Sequence, residues 1–418
     1  MARAGTTRDL RCRWFVDATG RRRLLQRKLG LQKEATGYGS ALWFRVGERL
    51  SPDDLVDDSE VGWRLRVPDD RRYFSTSHFM GRGYWVWMIP LVGGETSIGI
   101  VAEEKEHPFS TYGTRDRAMA WLAQHEPALY RAIADLELLD CRKVQRYTYG
   151  AEQVFSSDRW ACVGESSMFA DPLYSPGMDF IGFENCIVSR MIAEDAADSL
   201  TQERVAYFNR FILSHFETTL SLSRDAFGVF EWPHVTGAKL VWDFYLYWAF
   251  TCEIFFRKLV THHPEVAAGV GEVGTRVVRV NQRVQRLLSD WAAAAASPTP
   301  GYEFVDVPSQ VPFLESCHGE LSRDKTAGEA LRGMMNSLRT VEVLAQVILL
   351  AAVAEVHPSH AAALARRPWL NAWAVGLDPN AWERDGLFRP TTPPADRSVI
   401  GSQLRWLFPA QRTLEGAA

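Results

Sequence analysis

The chain has 418 residues, 46% of them hydrophobic and 12% aromatic, enough for one large core or two intimately packed domains. Its formal net charge of -4 gives no basic balance suited to a nucleic-acid backbone, and Arg21, Arg22, Arg23, Arg27 and Lys28 read as a solvated helix face. Cys12, Cys141, Cys162, Cys186, Cys252 and Cys317 are scattered without a C-x-x-C pair, so neither a zinc site nor a disulfide framework is indicated, and they read as reduced thiols of a cytoplasmic protein.

In chain order, Leu10 to Gly20 reads as a strand entering a glycine turn, and Arg22 to Leu31 as a helix carrying Leu24, Leu25, Lys28 and Leu29, punctuated by Gly30. Four strands follow at Leu42 to Val46, Tyr73 to Phe79, Tyr84 to Pro90 and Thr96 to Val101. Gly81-Arg82-Gly83 and Gly93-Gly94-Glu95 supply the turns of an antiparallel sheet. Thr114 is placed to cap a helix through Leu122, and Pro127 to open another containing Leu129, Ile133 and Leu136, the pair packing on the sheet.

A further strand, Trp160 to Val163, ends at Gly164-Glu165, and a loop through Gly177 leads into a helix with Met178, Ile181, Val188, Ile192 and Ala196 on its apolar face. Beyond Gln202 the pattern is helical, with Phe208, Ile212, Phe216 and Leu220, then Val277, Val284, Leu288 and Trp291, recurring at helical spacing. The most apolar stretches, Val241 to Phe256 and Leu344 to Val356, read as buried helices rather than membrane spans, the first broken by Asp243 and Glu253 and the second too short for a bilayer. The segment after Pro358, rich in Pro, Trp and Arg, reads as irregular.

Two strand ends carry chemistry. Asp17-Ala18-Thr19-Gly20 combines a small residue with a glycine at a strand tip, which lets a nucleotide approach the backbone closely, though it also suits an ordinary strand-to-helix turn. Gly164-Glu165 followed by Asp171-Pro172-Leu173-Tyr174-Ser175-Pro176-Gly177 joins a close-approach glycine, a carboxylate able to accept from ribityl hydroxyls, and a helix whose first N–H groups point outward. A Pro-rich connection between a strand and a core helix would use the same residues.

Asp17 to Arg21, the W-x-W-x-I-P run from Trp85 to Pro90, and the Asp171 to Gly177 loop occur in the order found in flavin-dependent halogenases of the tryptophan-halogenase type, relatives of FAD-dependent monooxygenases. The resemblance covers about Leu10 to Asp195. It implies FAD as cofactor, held around Asp17, Ala18, Gly20, Gly164, Glu165, Asp171, Pro172, Pro176 and Gly177, with Trp85, Trp87, Ile89 and Pro90 near the flavin and its tunnel. It also implies a separate flavin reductase, a flavin C4a-hydroperoxide, and a small-molecule substrate that is free or carrier-bound. Three departures accompany it. Glu165 stands where the family usually has an aspartate, Pro176 removes an N–H from the halide-binding loop, and no lysine here matches the family's catalytic lysine.

The fold expected is α/β (α+β): remnants of a Rossmann-like FAD domain over 1–35 and 155–200, an antiparallel substrate-domain sheet with helices over 36–154, a helical region over 201–357, and an irregular tail over 358–418. Because the glycine-rich phosphate turn is missing before Asp17, and Met1 to Arg8 holds no hydrophobic run to replace lost strands, an upstream segment is expected and the chain alone is expected to hold FAD weakly or not at all. The alternative is a non-catalytic binding or structural protein. Gly269-Val270-Gly271-Glu272-Val273-Gly274 fits G-x-G-x-x-G but follows no strand, and reads as a helix-to-helix connection. His215 with Glu217, and His262 with His263, lack metal-ligand spacing and read as surface or pocket histidines.

Overall fold

The computed structural model describes residues 9–34, 39–67, 69–224, 226–295, 311–389 and 396–408; Met1 to Arg8 lies outside them. Two compact units result, one from the described residues of Met1–Gly37 and Thr148–Leu220, the other from those of Tyr38–Tyr147 and Ser221–Ala418.

In the first unit, Phe15–Asp17 pairs in parallel with Trp160–Cys162, which pairs antiparallel with Phe155–Ser156. The parallel register sets Asp17 opposite Cys162, so two strand tips 145 positions apart end side by side. Asn209 splints the far side of this sheet: its Oδ1 accepts from the N–H groups of Val154 (3.0 Å) and Phe155 (3.1 Å), and its Nδ2 donates to the Phe155 carbonyl (2.8 Å). Backbone groups that would be an open strand edge are thereby satisfied. Asp195, at the end of the helix Pro176–Ala196, accepts from Trp14 Nε1 (2.9 Å), Arg13 and Arg159, and these hydrogen bonds hold its carboxyl below the usual range.

The face of Pro176–Ala196 that is buried carries Phe180, Phe183, Glu184, Ile187, Val188 and Met191. The expected stripe shares only Val188 with it. Met178 (69% exposed), Ile181 and Ile192 face outward instead, since this helix has two apolar stripes at helical spacing and the partner side chains decide between them. His215 is half-buried and packs against Phe180 (5.1 Å) and Phe183 (5.2 Å), and burial pushes its imidazole down to about 4.

The second unit contains a five-stranded antiparallel sheet in the order Ser77–Gly81, Tyr84–Pro90, Thr96–Glu103, Gly39–Val46, Leu138–Val144. Leu42, Phe44, Val86, Met88, Ile98 and Ile100 face the helices Arg115–His125 and Pro127–Ile133, as the paired helical patterns predict. Thr114 sits at the first helix's N-cap position without a side-chain cap bond, and Pro127 opens the second. Tyr73 and Phe74, expected in a strand, close a 3-10 turn over Arg71–Phe74, and the strand begins at Ser77.

This unit's helices include Pro233–Leu246, continued by a π-helical turn over Tyr247–Cys252, then Ala267–Ala294 and Ala327–Val356. The last is capped reciprocally by Thr326 and Glu329 and is long and apolar enough to cross a bilayer, but 78% of its most apolar window is buried inside the protein. Gly269 to Gly274 lies within the helix Ala267–Ala294, not in a connection, and a Cβ at Gly269 would come within 2.6 Å of Leu331. Gly269 thus serves helix packing, whereas a Cβ at Gly271 or Gly274 would meet nothing within 4 Å. Beyond Pro358, short helices at Pro358–Ala365, Trp382–Asp385 and Ser398–Leu404 replace the expected irregular chain, with Leu364, Trp382 and Leu404 anchoring them in the core.

Candidate functional site

The first unit brings three of the sequence motifs together. Asp17 is 1% exposed, and its carboxylate accepts from Thr19 N (2.9 Å), Thr19 Oγ1 (2.6 Å) and Leu25 N (2.7 Å), so it shapes the turn and caps the helix Leu24–Leu29. That leaves Ala18 exposed at the tip and Gly20 at φ +62° with open space where a Cβ would stand. The neighbouring tip is laced to it: Val163 N donates to the Asp17 carbonyl (3.0 Å), as does Ser166 Oγ. Gly164 is left-handed at φ +60°, which favours glycine. Glu165 is partly exposed, faces Arg21 at 3.7 Å, and its carbonyl accepts from Tyr149 Oη (2.6 Å).

The Asp171–Gly177 segment then delivers the chain into the 21-residue helix. Asp171 is buried and accepts from Leu173 N (2.8 Å), while Ser175 N donates to the Pro172 carbonyl (3.0 Å). Tyr174 (φ +65°) and Ser175 (φ +55°) are consecutive left-handed residues, neither of them glycine. Pro176 occupies the first helical position, where its missing N–H is structurally harmless, and a Cβ on Gly177 would meet nothing within 4 Å.

The residue that joins this helix to the Gly164 turn is one the sequence reading missed. Glu184 is fully buried; its Oε2 accepts from Gly164 N (2.5 Å) and its Oε1 meets Ser167 Oγ, whose hydroxyl also lies 2.7 Å from the Gly164 carbonyl. A hydroxyl has one proton to give. Both contacts are satisfied at once when Glu184 carries its own proton and donates to Ser167, which donates to Gly164. Burial indeed pushes the Glu184 carboxyl up to about 8. The signal was available, since Glu184 falls on the Phe180, Ile187, Val188 and Met191 stripe at helical spacing.

The W-x-W-x-I-P strand belongs to the second unit. Trp85 (2% exposed) and Trp87 share the sheet face opposite Val86 and Met88, their rings 5.8 Å apart, with Trp43 6.3 Å from Trp87 and His78 5.3 Å from Trp85. Ile89 and Pro90 are half-buried at the strand's end, opposite Ser97 and Thr96. Trp87 Nε1 donates to Ser97 Oγ (3.1 Å), and its ring lies over Gly99, where a Cβ would approach it to 2.1 Å. Gly99→Ala is therefore expected to displace Trp87 and cost about 2 kcal/mol, read as a lower urea midpoint together with a changed near-ultraviolet circular dichroism; an unchanged near-ultraviolet spectrum would contradict this packing. Among the described residues no group of three or more His, Cys, Asp and Glu could hold a metal ion.

No protein-family model matches the sequence. The chain is 24% identical over 323 residues to the flavin-dependent halogenase chlA of Dictyostelium discoideum, covering 70% of this chain and 51% of that protein. It is 27% identical over 210 residues to the tetracycline 7-halogenase of Kitasatospora aureofaciens, covering 47% of this chain and 37% of that one. The chain thus spans about half the length, or less, of these curated relatives. Among solved structures, a halogenase PltM mutant in complex with FAD is similar in fold, with a TM-score of 0.50 and 16% identity over 79% of this chain and 63% of that one.

Proposed function

Because the chain is flavin-dependent-halogenase-like in sequence, we propose that it takes part in FAD-dependent oxidation of a small organic substrate, free or carrier-bound, with reduced flavin supplied by a separate reductase. The observation that carries this reading is the convergence, within one unit, of two parallel strand tips ending in left-handed glycines with the N-terminal end of a 21-residue helix. Ligands of doubly wound sheets bind outside the carboxyl ends of strands. The open space at Gly20 and Gly177 admits a planar cofactor against bare backbone, and Glu165 stands within reach of solvent to accept from hydroxyls. The positive end of the helix field favours an anionic reduced ring near Pro172 and Gly177. Bound there, reduced flavin supplies oxygen activation. Asp17 and Glu184 hold the two turns that receive it, and Trp85, Trp87, Ile89 and Pro90 take the tunnel role on the resemblance alone.

Flavin fluorescence during titration with the purified chain tests this. Saturable quenching is expected with FAD and with riboflavin, at a dissociation constant weaker than about 1 μM, and Glu165→Ala is expected to weaken both by roughly fivefold, the worth of one net hydrogen bond of about 1 kcal/mol. Absence of saturable quenching with either flavin would favour the non-catalytic alternative. Pro176 bears on outcome, because a halide held at the helix entry lacks that donor, worth roughly 1.5 to 3 kcal/mol when charge-assisted. In a version completed so that it holds FAD, with reductase, oxygen and saturating bromide, oxygenated or dehydrogenated product is expected over brominated product, and Pro176→Ala is expected to raise the brominated share. Efficient bromination by that version with Pro176 in place would refute the assignment.

A further inference from the structure

The helix Ala267–Ala294 buries Val273, Val277, Val280, Val284 and Leu288 in the core, and its outer side carries Arg279, Arg283 and Arg286, all exposed, at i, i+4 and i+7. Side chains at this spacing are neighbours, and like charges there cost a helix stability. A face that serves only solvation alternates signs instead. Relief from carboxylates is slight: among the described residues Arg283 alone of the three has such a partner, Asp385 at 3.8 Å, and Arg384 holds that same carboxylate at 3.1 Å. With a formal net charge of -4, the stripe does not follow from a generally basic chain.

Beside the stripe lies a cleft of about 510 Å³, lined by the three arginines with Gln282 and Trp373, a volume in the range of small-molecule sites. Its apolar wall is fixed in place. Trp373 Nε1 donates to Glu342 Oε1 (3.2 Å), Arg276 Nη2 donates to the same oxygen (3.4 Å), and the Arg276 guanidinium carbon stands 5.4 Å from the indole centroid. Arg276 is thus committed to a carboxylate that is only 3% exposed, whereas Arg279 and Arg286 have no ion pair among the described residues for a ligand to break.

The chemistry of the wall selects the ligand. Guanidinium forks match phosphate oxygens bidentately, and three of them distributed along about 10 Å of helix suit linked phosphates better than a single one. No carboxylate lines the cleft to repel them. The indole and the Gln282 amide suit a planar ring with donors and acceptors on its edge. We infer that this cleft binds a nucleoside diphosphate, its phosphates on Arg279, Arg283 and Arg286 and its base against Trp373 and Gln282. The inference does not rest on the flavin reading, since residues of the second unit alone line the cleft.

Calorimetric titration of the full chain in magnesium-free buffer with ADP, GDP and UDP, each compared with its nucleoside and with pyrophosphate, is the test. Saturable binding of at least one diphosphate is expected, with pyrophosphate at least about fivefold and the nucleoside at least about tenfold weaker. The double substitution Arg279→Gln, Arg286→Gln is expected to weaken that nucleotide more than about tenfold while the melting temperature stays level or rises, because it relieves like-charge repulsion on the helix. Arginines that only solvate the helix would not give that combination. Lack of saturable binding by all three diphosphates, pyrophosphate bound as tightly as the nucleotide, a short oligothymidylate bound more tightly than any of them, or undiminished binding in the folded double variant each overturns the assignment, and the first three need no variant.

Discussion

Glu184→Gln is expected to flatten the chain's stability profile between about pH 4.5 and pH 8, whereas Glu184→Ala is expected to destabilise it by about 3 kcal/mol at pH 5, a deficit that shrinks as pH rises through 8. The carboxyl titrates near 4.5 when unfolded and is pushed up to about 8 by burial, so the fold favours its protonated form. The stability it contributes is fully present below pH 4.5 and is lost as pH rises through 8. A glutamine keeps an oxygen for Gly164 N and an NH2 for Ser167 Oγ, the hydrogen-bond pattern of the protonated acid, with nothing left to titrate. The two chains should match at pH 5, and the glutamine variant should exceed its parent at pH 9 by a few kcal/mol, on the order of the linkage term. Urea midpoints at pH 5, 7 and 9 measure this; parallel profiles for parent and Gln variant would mean that Glu184 is ionised in the folded chain.

Asp17→Ala carries a comparable penalty, about 3 kcal/mol, because it strands Thr19 N–H and Leu25 N–H, which the buried carboxylate now satisfies from beneath the turn. Asn at this position keeps one acceptor oxygen but sets an NH2 group against one of those donors, so about 2 kcal/mol is expected. Flavin quenching should fall in step with stability, since this carboxylate builds the turn from beneath. A variant that keeps its urea midpoint yet loses quenching would instead make Asp17 a direct ligand contact.

Where local pattern and tertiary demand agree, the sequence was readable. Trp85 to Pro90 alternates faces between glycine turns and is a central strand, and Pro127 opens the helix expected of it. Leu138–Val144 went unread because it is an edge strand: Asp140, Arg142 and Lys143 keep it open to water, and Arg45 secures it through Asp140 at 3.0 Å. In the candidate site, the strand-tip glycines and the helix entry were legible as motifs, and the helix face was not. A helix apolar on two sides does not announce which side meets the protein, and a buried glutamate looks like a solvated one until its partners are known. Gly269 and Gly333 show the same limit, since a glycine in a helix can admit a neighbour or leave a space.

The left-handed pair Tyr174–Ser175 has a consequence for directed evolution. Two side-chain-bearing residues held there store strain on the order of 1 to 3 kcal/mol each, which glycine would release. Selection for heat resistance alone should therefore enrich glycine at 174 and 175, and the same substitutions would loosen the entry into the 21-residue helix. Thermal hardiness and a rigid helix entry are opposed at these two positions, so a campaign that scores only survival would drift away from whatever the loop is shaped to hold.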